Sequence, residues 1–428
     1  MAIQYADAGC YDEAIEFLSL FADTATELLT FYYLAYYESL RGNHHASKEW
    51  LQKAFECSPD KVFPNRIEDI TVLTFAIDSN PDDYKAPYYL GNFYYAKRLY
   101  DKARTCWERA VKRNGHFATA LRNLGIAYYN KFNKKAEALQ LFEKAFEADK
   151  KDSRILFELD QLYKKFNRPL QERLLFLKNH EGLIPDRDDL YMEYVSLHSL
   201  TGRLDEARDL LKARNFHPWE GGEGKTSGQH ILINVELAKQ ALQKEEFTKA
   251  EIFLQTAQRY PENLGEGKIY GAQENDIYYW LGCVYEKSGE ATKAREYWEK
   301  ASTGLSEPSP AVFYNDQQPD KILYQGLALL KMGRKNEAHQ RFQNLISYAK
   351  KHMEDEVKMD FFAVSLPDLM IFDDDLSRRN KIHCLYLLAL GNLGLGKKAK
   401  AKKYFEEVLT MDQAHAGAII HAALLQKM

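Results

Sequence analysis

The stretch YYLGNFYYAKRLYDKARTCWERAV, from Tyr88 to Val111, decides how the rest of the chain reads, because it holds two helical patterns back to back. Leu90, Gly91 and Tyr94 share one face of the first helix; Ala103, Trp107 and Ala110 share one face of the second. The small residues let a neighbouring helix approach closely, and the ring beside them fills the remaining space. LRNLGIAYYNKFNKKAEALQLFEKAF, from Leu121 to Phe146, repeats the device with Leu124, Gly125, Tyr128 and then Ala138, Phe142, Ala145 after one extra residue in the turn. Gly91 and Gly125 lie 34 residues apart. Such a pair is apolar on both sides and cannot cover both faces alone, so stacking is obligatory.

A 34-residue period of helix, turn and helix is that of the tetratricopeptide repeat, which these units resemble. Gly282, Tyr285, Ala294, Trp298 and Ala301 form a third strong copy, and weaker copies hang on Ala46 and Trp50, Ala207 and Leu211, Ala250 and Leu254, Ala338 and Phe342, and Ala401 and Phe405. Gly202, Gly289 and Gly333 fall in the turns, where a helix end needs positive φ. No segment alternates apolar and polar residues over a strand's length. The expected fold is all-α, a tetratricopeptide-type α-α superhelix, as a right-handed solenoid of about ten helix pairs. It would form one array over 1–428: repeats in 1–213, a Gly-rich insertion at 214–228, and further repeats in 229–428 interrupted at 261–272, 303–319 and 353–377.

Composition narrows the function. The formal net charge of -4 provides no global basic field, so a nucleic-acid partner is not expected and any basic patch has to be local. Cys10, Cys57, Cys106, Cys283 and Cys384 are scattered without metal-type spacing, which suits a reducing, cytoplasmic setting. No apolar run approaches the roughly 18 to 20 residues that cross a bilayer, so no membrane partner is expected. Aligning Tyr5, Ala14 and Leu18 with the repeat leaves the first helix without its opening turns, which suggests a fragment or a covered end.

The insertions carry the distinctive chemistry. Gly224, Lys225 and Thr226 read like the end of a phosphate loop, but Trp219 stands where its first glycine belongs, and no strand precedes it. A turn-rich connector with Trp219 plugging a gap between pairs is the plainer reading. Gly265, Glu266, Gly267 and Lys268 repeat the letters of Gly222, Glu223, Gly224 and Lys225. Together with Trp219 and Glu220, the two loops either offer Glu223, Lys225, Glu266 and Lys268 to an anionic or sugar-like ligand or pack on one another. Asp373, Asp374 and Asp375 could attract a hard cation, but they precede a helix, and capping explains them more simply. Asp186, Asp188 and Asp189 receive the same reading. No metal site, cofactor or catalytic constellation is expected.

The first helices of stacked pairs line the inner face, so their outward residues form the default binding groove. In the two best units these are Tyr88, Asn92, Tyr95, Arg122, Asn123 and Tyr129, suited to an extended peptide. Asn92 and Asn123 resemble part of the clamp by which some tetratricopeptide domains hold a chaperone's C-terminal carboxylate. Tyr88 occupies the first lysine's place, which argues against that role.

Longer strings are more specific: FPNRIEDITVL from Phe63, APYYLGNFYY from Ala86, FHPWEGGEGK from Phe216, YPENLGEGK from Tyr260, DIYYWLGC from Asp276, and FFAVSLPDLMIFDDDLSRRNKIHCLYLLALG from Phe361. They resemble the C-terminal tetratricopeptide half of large bacterial proteins whose N-terminal half is a domain of unknown function, β-rich and of a mutarotase-like, sugar-binding type. The resemblance implies that such a domain lies upstream, and it transfers no catalytic residues. The expected function is a non-catalytic scaffold that holds a protein or peptide, or its own upstream domain. The alternative is an accessory region of a carbohydrate-processing protein, with the insertion loops helping to form a glycan site.

Overall fold

The structure, a computed structural model, describes residues 1–428 other than 23–27, 61, 220, 311–315, 358–370 and 426–428. Every regular element among the described residues is a helix. The chain divides into two compact units, Met1–Ile155 and Leu156–Met428.

In the first unit α1 (Ala2–Asp7) pairs with α2 (Tyr11–Ala22), and α3 (Leu28–Leu40) with α4 (His44–Glu56). A lone α5 (Glu68–Ser79) follows, then α6 (Lys85–Ala96) with α7 (Tyr100–Arg113) and α8 (Ala118–Asn130) with α9 (Lys135–Ala148). The small-to-large device works as the sequence requires. A Cβ built on Gly91 would lie 2.4 Å from the Trp107 ring, and one on Gly125 would lie 2.8 Å from Phe142. Ala103, Ala110, Ala138 and Ala145 are fully buried, so nothing larger fits where the second helix of each pair meets its neighbours.

The repeat reading does not anticipate α5, an extra helix packed on α3 and α6. Buried polar groups fix it. The Tyr33 hydroxyl donates to Asp69 at 2.7 Å, while the other carboxylate oxygen of Asp69 accepts from the Asn65 and Arg66 N–H groups, each at 2.8 Å. Tyr32 donates to Asp83, and the Lys85 ammonium satisfies the Phe55 and Cys57 carbonyls left open at the end of α4.

The second unit begins within α10 (Ser153–Lys165) and runs through α11 (Leu170–Lys178), α12 (Asp188–Leu200), α13 (Leu204–Ala213), α14 (Lys225–Gln243) and α15 (Phe247–Ala257). It continues with α16 (Asn275–Lys287), α17 (Ala291–Ala301), α18 (Pro319–Lys331), α19 (Lys335–His352), α20 (Leu376–Gly394), α21 (Lys398–Met411) and a single closing helix α22 (Ala416–Leu424). Gly282 lies against Trp298 as Gly91 lies against Trp107. The turns within pairs place a residue at positive φ: glycine at 9, 42, 202, 289, 333 and 396, but Arg98, Asn133, Asn167 and Glu245 in other pairs. Those four give no glycine signal in the sequence.

The second unit closes on itself. Lys165 pairs with Asp374 at 3.2 Å, and Asn167 donates to the Thr410 carbonyl at 2.8 Å. In return Asn167 accepts from the Gln413 N–H at 2.6 Å through its side chain, while its carbonyl takes a bond from the Gln413 amide at 3.1 Å. The start of the unit therefore seals the turn before α22. A buried ion network, unseen in the sequence, braces the same end. Arg173 makes a two-pronged contact with Asp160 at 3.0 and 2.6 Å and reaches Glu193 at 2.7 Å. Lys164 supports Glu193 at 3.1 Å. Burial alone would raise the Glu193 carboxyl, but Lys164 and Arg173 hold it well below the usual carboxylate range.

Candidate partner-binding site

The groove residues of the first unit form a side-chain ladder across two pairs. The Trp107 indole N–H donates to the Tyr88 carbonyl and to the Asn92 amide oxygen, both at 3.1 Å. The same oxygen accepts from the Asn123 amide at 3.2 Å, and Arg122 donates to Asn123 at 3.1 Å. The ring that fills the gap beside Gly91 thus also sets Asn92, which sets Asn123. Asn92, Arg122 and Asn123 are half-buried, so solvent reaches one side of the ladder. Tyr95 lies between Tyr100 at 5.1 Å and Trp107 at 5.2 Å, and Tyr129 lies beneath the Lys135 ammonium at 5.3 Å. Both rings remain partly exposed.

Tyr88 departs from the expectation. Its ring is buried, with its centroid 4.8 Å from that of Phe117 and 5.2 Å from that of Tyr89, so it packs between pairs instead of lining an open groove. Burial raises its hydroxyl above the ordinary tyrosine value, partly offset by Asn92 and Asn123. Asn92, Asn123, Arg122, Tyr95 and Tyr129 remain partly accessible. They offer hydrogen-bonding groups in line with flat apolar area, a combination that suits an extended main chain.

The two Gly-Glu-Gly-Lys loops pack on each other. The Phe216 N–H donates to the Asn263 carbonyl at 2.8 Å, and Asn263 donates to the Leu211 and Arg214 carbonyls at 2.9 Å each. Gly265, at φ +67, lies so close to the Phe216 carbonyl that a Cβ would come within 2.5 Å. Glu266 caps α14 by accepting from the Ser227 hydroxyl at 2.6 Å and its N–H at 3.2 Å. Lys268 is engaged by Glu274 at 2.6 Å. Of the two readings, ligand site or mutual packing, Glu266 fits packing, while Lys268 is paired with Glu274 at the exposed surface.

Trp219 lies over Gly222 of its own loop, where a Cβ would come within 2.2 Å of the ring, and it stays half-buried. Phe216 is buried more deeply, 5% exposed and edge-on to Tyr191. Asp188 fastens this loop by accepting from Arg214 and from the His217 N–H. Burial would raise its carboxyl, but these bonds hold it below the ordinary value. Glu220 lies outside the described residues. Glu223 is exposed. Solvent reaches Lys225, yet dehydration by surrounding protein and repulsion from Lys164 lower its ammonium below the usual lysine value.

The aspartates before α20 act as helix and surface groups. Asp375 caps α20 by accepting from the Arg378 N–H at 2.9 Å, and Asp374 pairs with Lys165. Asp373 is exposed. Among the described residues no group of three or more His, Cys, Asp or Glu side chains is arranged to hold a metal ion. No described helix is long and apolar enough to cross a membrane.

Family models described as tetratricopeptide repeat match residues 84–151 and, separately, 276–303 and 382–415. Similar solved structures include YrrB, a tetratricopeptide protein with an unusual peptide-binding site, at 17% identity and TM-score 0.30 over 54% of this chain and 90% of that one. MamA from residue 41 to its end, from Desulfovibrio magneticus RS-1, is 16% identical with TM-score 0.26 over 44% of this chain and 93% of that one. Pseudomonas aeruginosa pilF is 14% identical with TM-score 0.30 over 52% and 92%. The matched residues hold the pairs α6/α7, α8/α9, α16/α17 and α20/α21. These pairs are tetratricopeptide repeats, and in α6/α7, α8/α9 and α16/α17 they are built on the glycine and aromatic contacts that the sequence announces.

Proposed function

We propose that the chain is a non-catalytic interaction scaffold whose first unit takes an extended segment of a partner protein along α6 and α8. The observation that supports this reading is the ladder from Trp107 through Asn92 to Asn123 and Arg122. It fixes the rotamers of half-exposed amide and guanidinium groups before any partner arrives, which lowers the ordering cost of binding. The partner can be a separate protein or a further domain of the same one. The five free cysteines support a reducing compartment such as the cytoplasm. The alternative of a glycan site on the insertion loops is less favoured, since Glu266 caps α14 and Lys268 is paired with Glu274.

Selection of displayed random peptides against the intact chain tests the proposal. Peptides that bind it are expected to lose about tenfold or more in affinity, roughly 1.4 kcal/mol, when Arg122 and Asn123 are both replaced by alanine. Selected peptides that bind the double variant as well as the natural chain would contradict it.

A further inference from the structure

Beside the ladder, the turns that join α6 to α7 and α8 to α9 form a strongly basic edge. Across positions 97–102 and 131–135, Lys97, Arg98, Lys102, Lys131, Lys134 and Lys135 stand with one acid, Asp101, in a chain whose net charge is -4, and Glu108, bonded to Tyr128, and Glu137, in the first turn of α9, border the edge. Asp101 is taken by Arg104 at 3.0 Å. Lys97, Arg98, Lys102, Lys134 and Lys135 make no ion pair among the described residues, and all but the half-buried Lys134 are exposed. The turns are one surface: Lys131 lies 5.5 Å over the Tyr100 ring, and Arg104 lies 4.5 Å over Phe132. Lys134 and Lys135 also sit at the N-cap and first position of α9, where the helix dipole disfavours cations. This concentration of like charge works against the stability of the free chain and is relieved by an anionic partner.

The aromatic rings beneath the edge decide which anion. Lys97 covers Phe93, Lys102 covers Tyr94, Lys134 covers Tyr128 and Lys135 covers Tyr129, at 5.6, 5.3, 4.7 and 5.3 Å. A nucleic acid needs such faces for stacking, and here each carries an ammonium. A carboxylate can meet the ammonium from its outer side and leave the ring contact intact. Asn92 precedes Tyr95 by about one helical turn, and Tyr129 follows Asn123 by under two, so a main chain laid on the ladder brings its side chains to this edge. We infer that the partner segment is acidic, an extended Asp- and Glu-rich stretch whose backbone meets Asn123 and Arg122 while its carboxylates meet the basic edge. The inference rests on the ladder being the binding face.

The test uses the peptides selected on the intact chain and a variant with Lys134→Glu and Lys135→Glu. Binding is read by fluorescence anisotropy, and folding is checked by circular dichroism. The expected result is enrichment in Asp and Glu, with affinity about tenfold weaker in the charge-reversed variant and weakened again between about 50 and about 300 mM NaCl. Peptides that need Asn123 but are neutral, and that ignore both the charge reversal and salt, would overturn the acidic partner and leave the ladder standing. Peptides indifferent to Asn123 would overturn the ladder and this inference with it. Single-stranded DNA binding more tightly than the selected peptides would overturn it in favour of nucleic acid.

Discussion

Single residues set the close approach of the helices, and the sequence shows most of them. Gly91, Gly125 and Gly282 stand out because each faces a large ring in the partner helix, and a methyl group at Gly91 would come within 2.4 Å of Trp107. Replacing Gly91 by alanine is expected to destabilise the first unit by about 1 to 3 kcal/mol and to disturb Asn92 through Trp107, which thermal unfolding together with peptide affinity would show. Phe216 is less legible than Trp219, because a string of letters does not reveal which of two nearby rings meets a cavity. Phe216→Ala is expected to cost about 3 to 5 kcal/mol, and Trp219→Ala much less; equal losses in denaturant unfolding would refute that assignment. Glu245, exposed at φ +60 in the turn between α14 and α15, occupies a glycine's conformation. Glu245→Gly is expected to raise stability by up to about 1 kcal/mol, read as a higher melting temperature.

At the scale of the element, the helix pairs are legible and the helix that breaks their rhythm is not. The periodicity of α6 to α9 repeats after 34 residues, whereas α5 stands alone between pairs and is held by Asp69, while Asp83 and Lys85 tie the start of α6 to α3 and α4, all through atoms far away in sequence. The closing helix α22 can be read from the sequence, but its anchoring by histidine cannot. The His421 Nδ1–H donates to the Gly417 carbonyl at 2.7 Å, with the Tyr386 hydroxyl 3.0 Å from the same nitrogen. His383 in α20 donates to the Ser309 carbonyl at 2.9 Å. Burial pushes both imidazoles down to about 4, from an ordinary value near 6.5. Between those values the unfolded chain binds protons that the folded chain refuses. Stability is therefore complete above about pH 6.5 and is lost as pH falls towards 4. The melting temperature is expected to drop over that range, and to drop less in a His383→Gln, His421→Gln variant; an unchanged slope would refute the role of these two groups.

For the molecule as a whole, internal contacts gather the chain into two compact units, Met1–Ile155 and Leu156–Met428. The repeat period gives no sign of this division, because it records how each pair meets the next and not how a stack closes. Asn167 shows why: its partners, Thr410 and Gln413, are 243 and 246 residues away. Asn167→Gly keeps the positive φ and removes the side-chain bonds, so amide exchange at Gln413 and in α22 is expected to accelerate while the first unit is unaffected. The proposed site is legible as a set of residues on α6 and α8, among them Asn92, Tyr95, Arg122, Asn123 and Tyr129; the depth of Tyr88 and the bond of Glu266 to Ser227 depend on packing between segments distant in sequence. The proposed partner segment lies along the first helices of the first unit. Hydrogen–deuterium exchange of the intact chain with a selected peptide tests this most directly. New protection is expected in Lys85–Ala96 and Ala118–Asn130; protection confined to the second unit, including its loops at 214–228 and 261–272, would rule out binding along these helices.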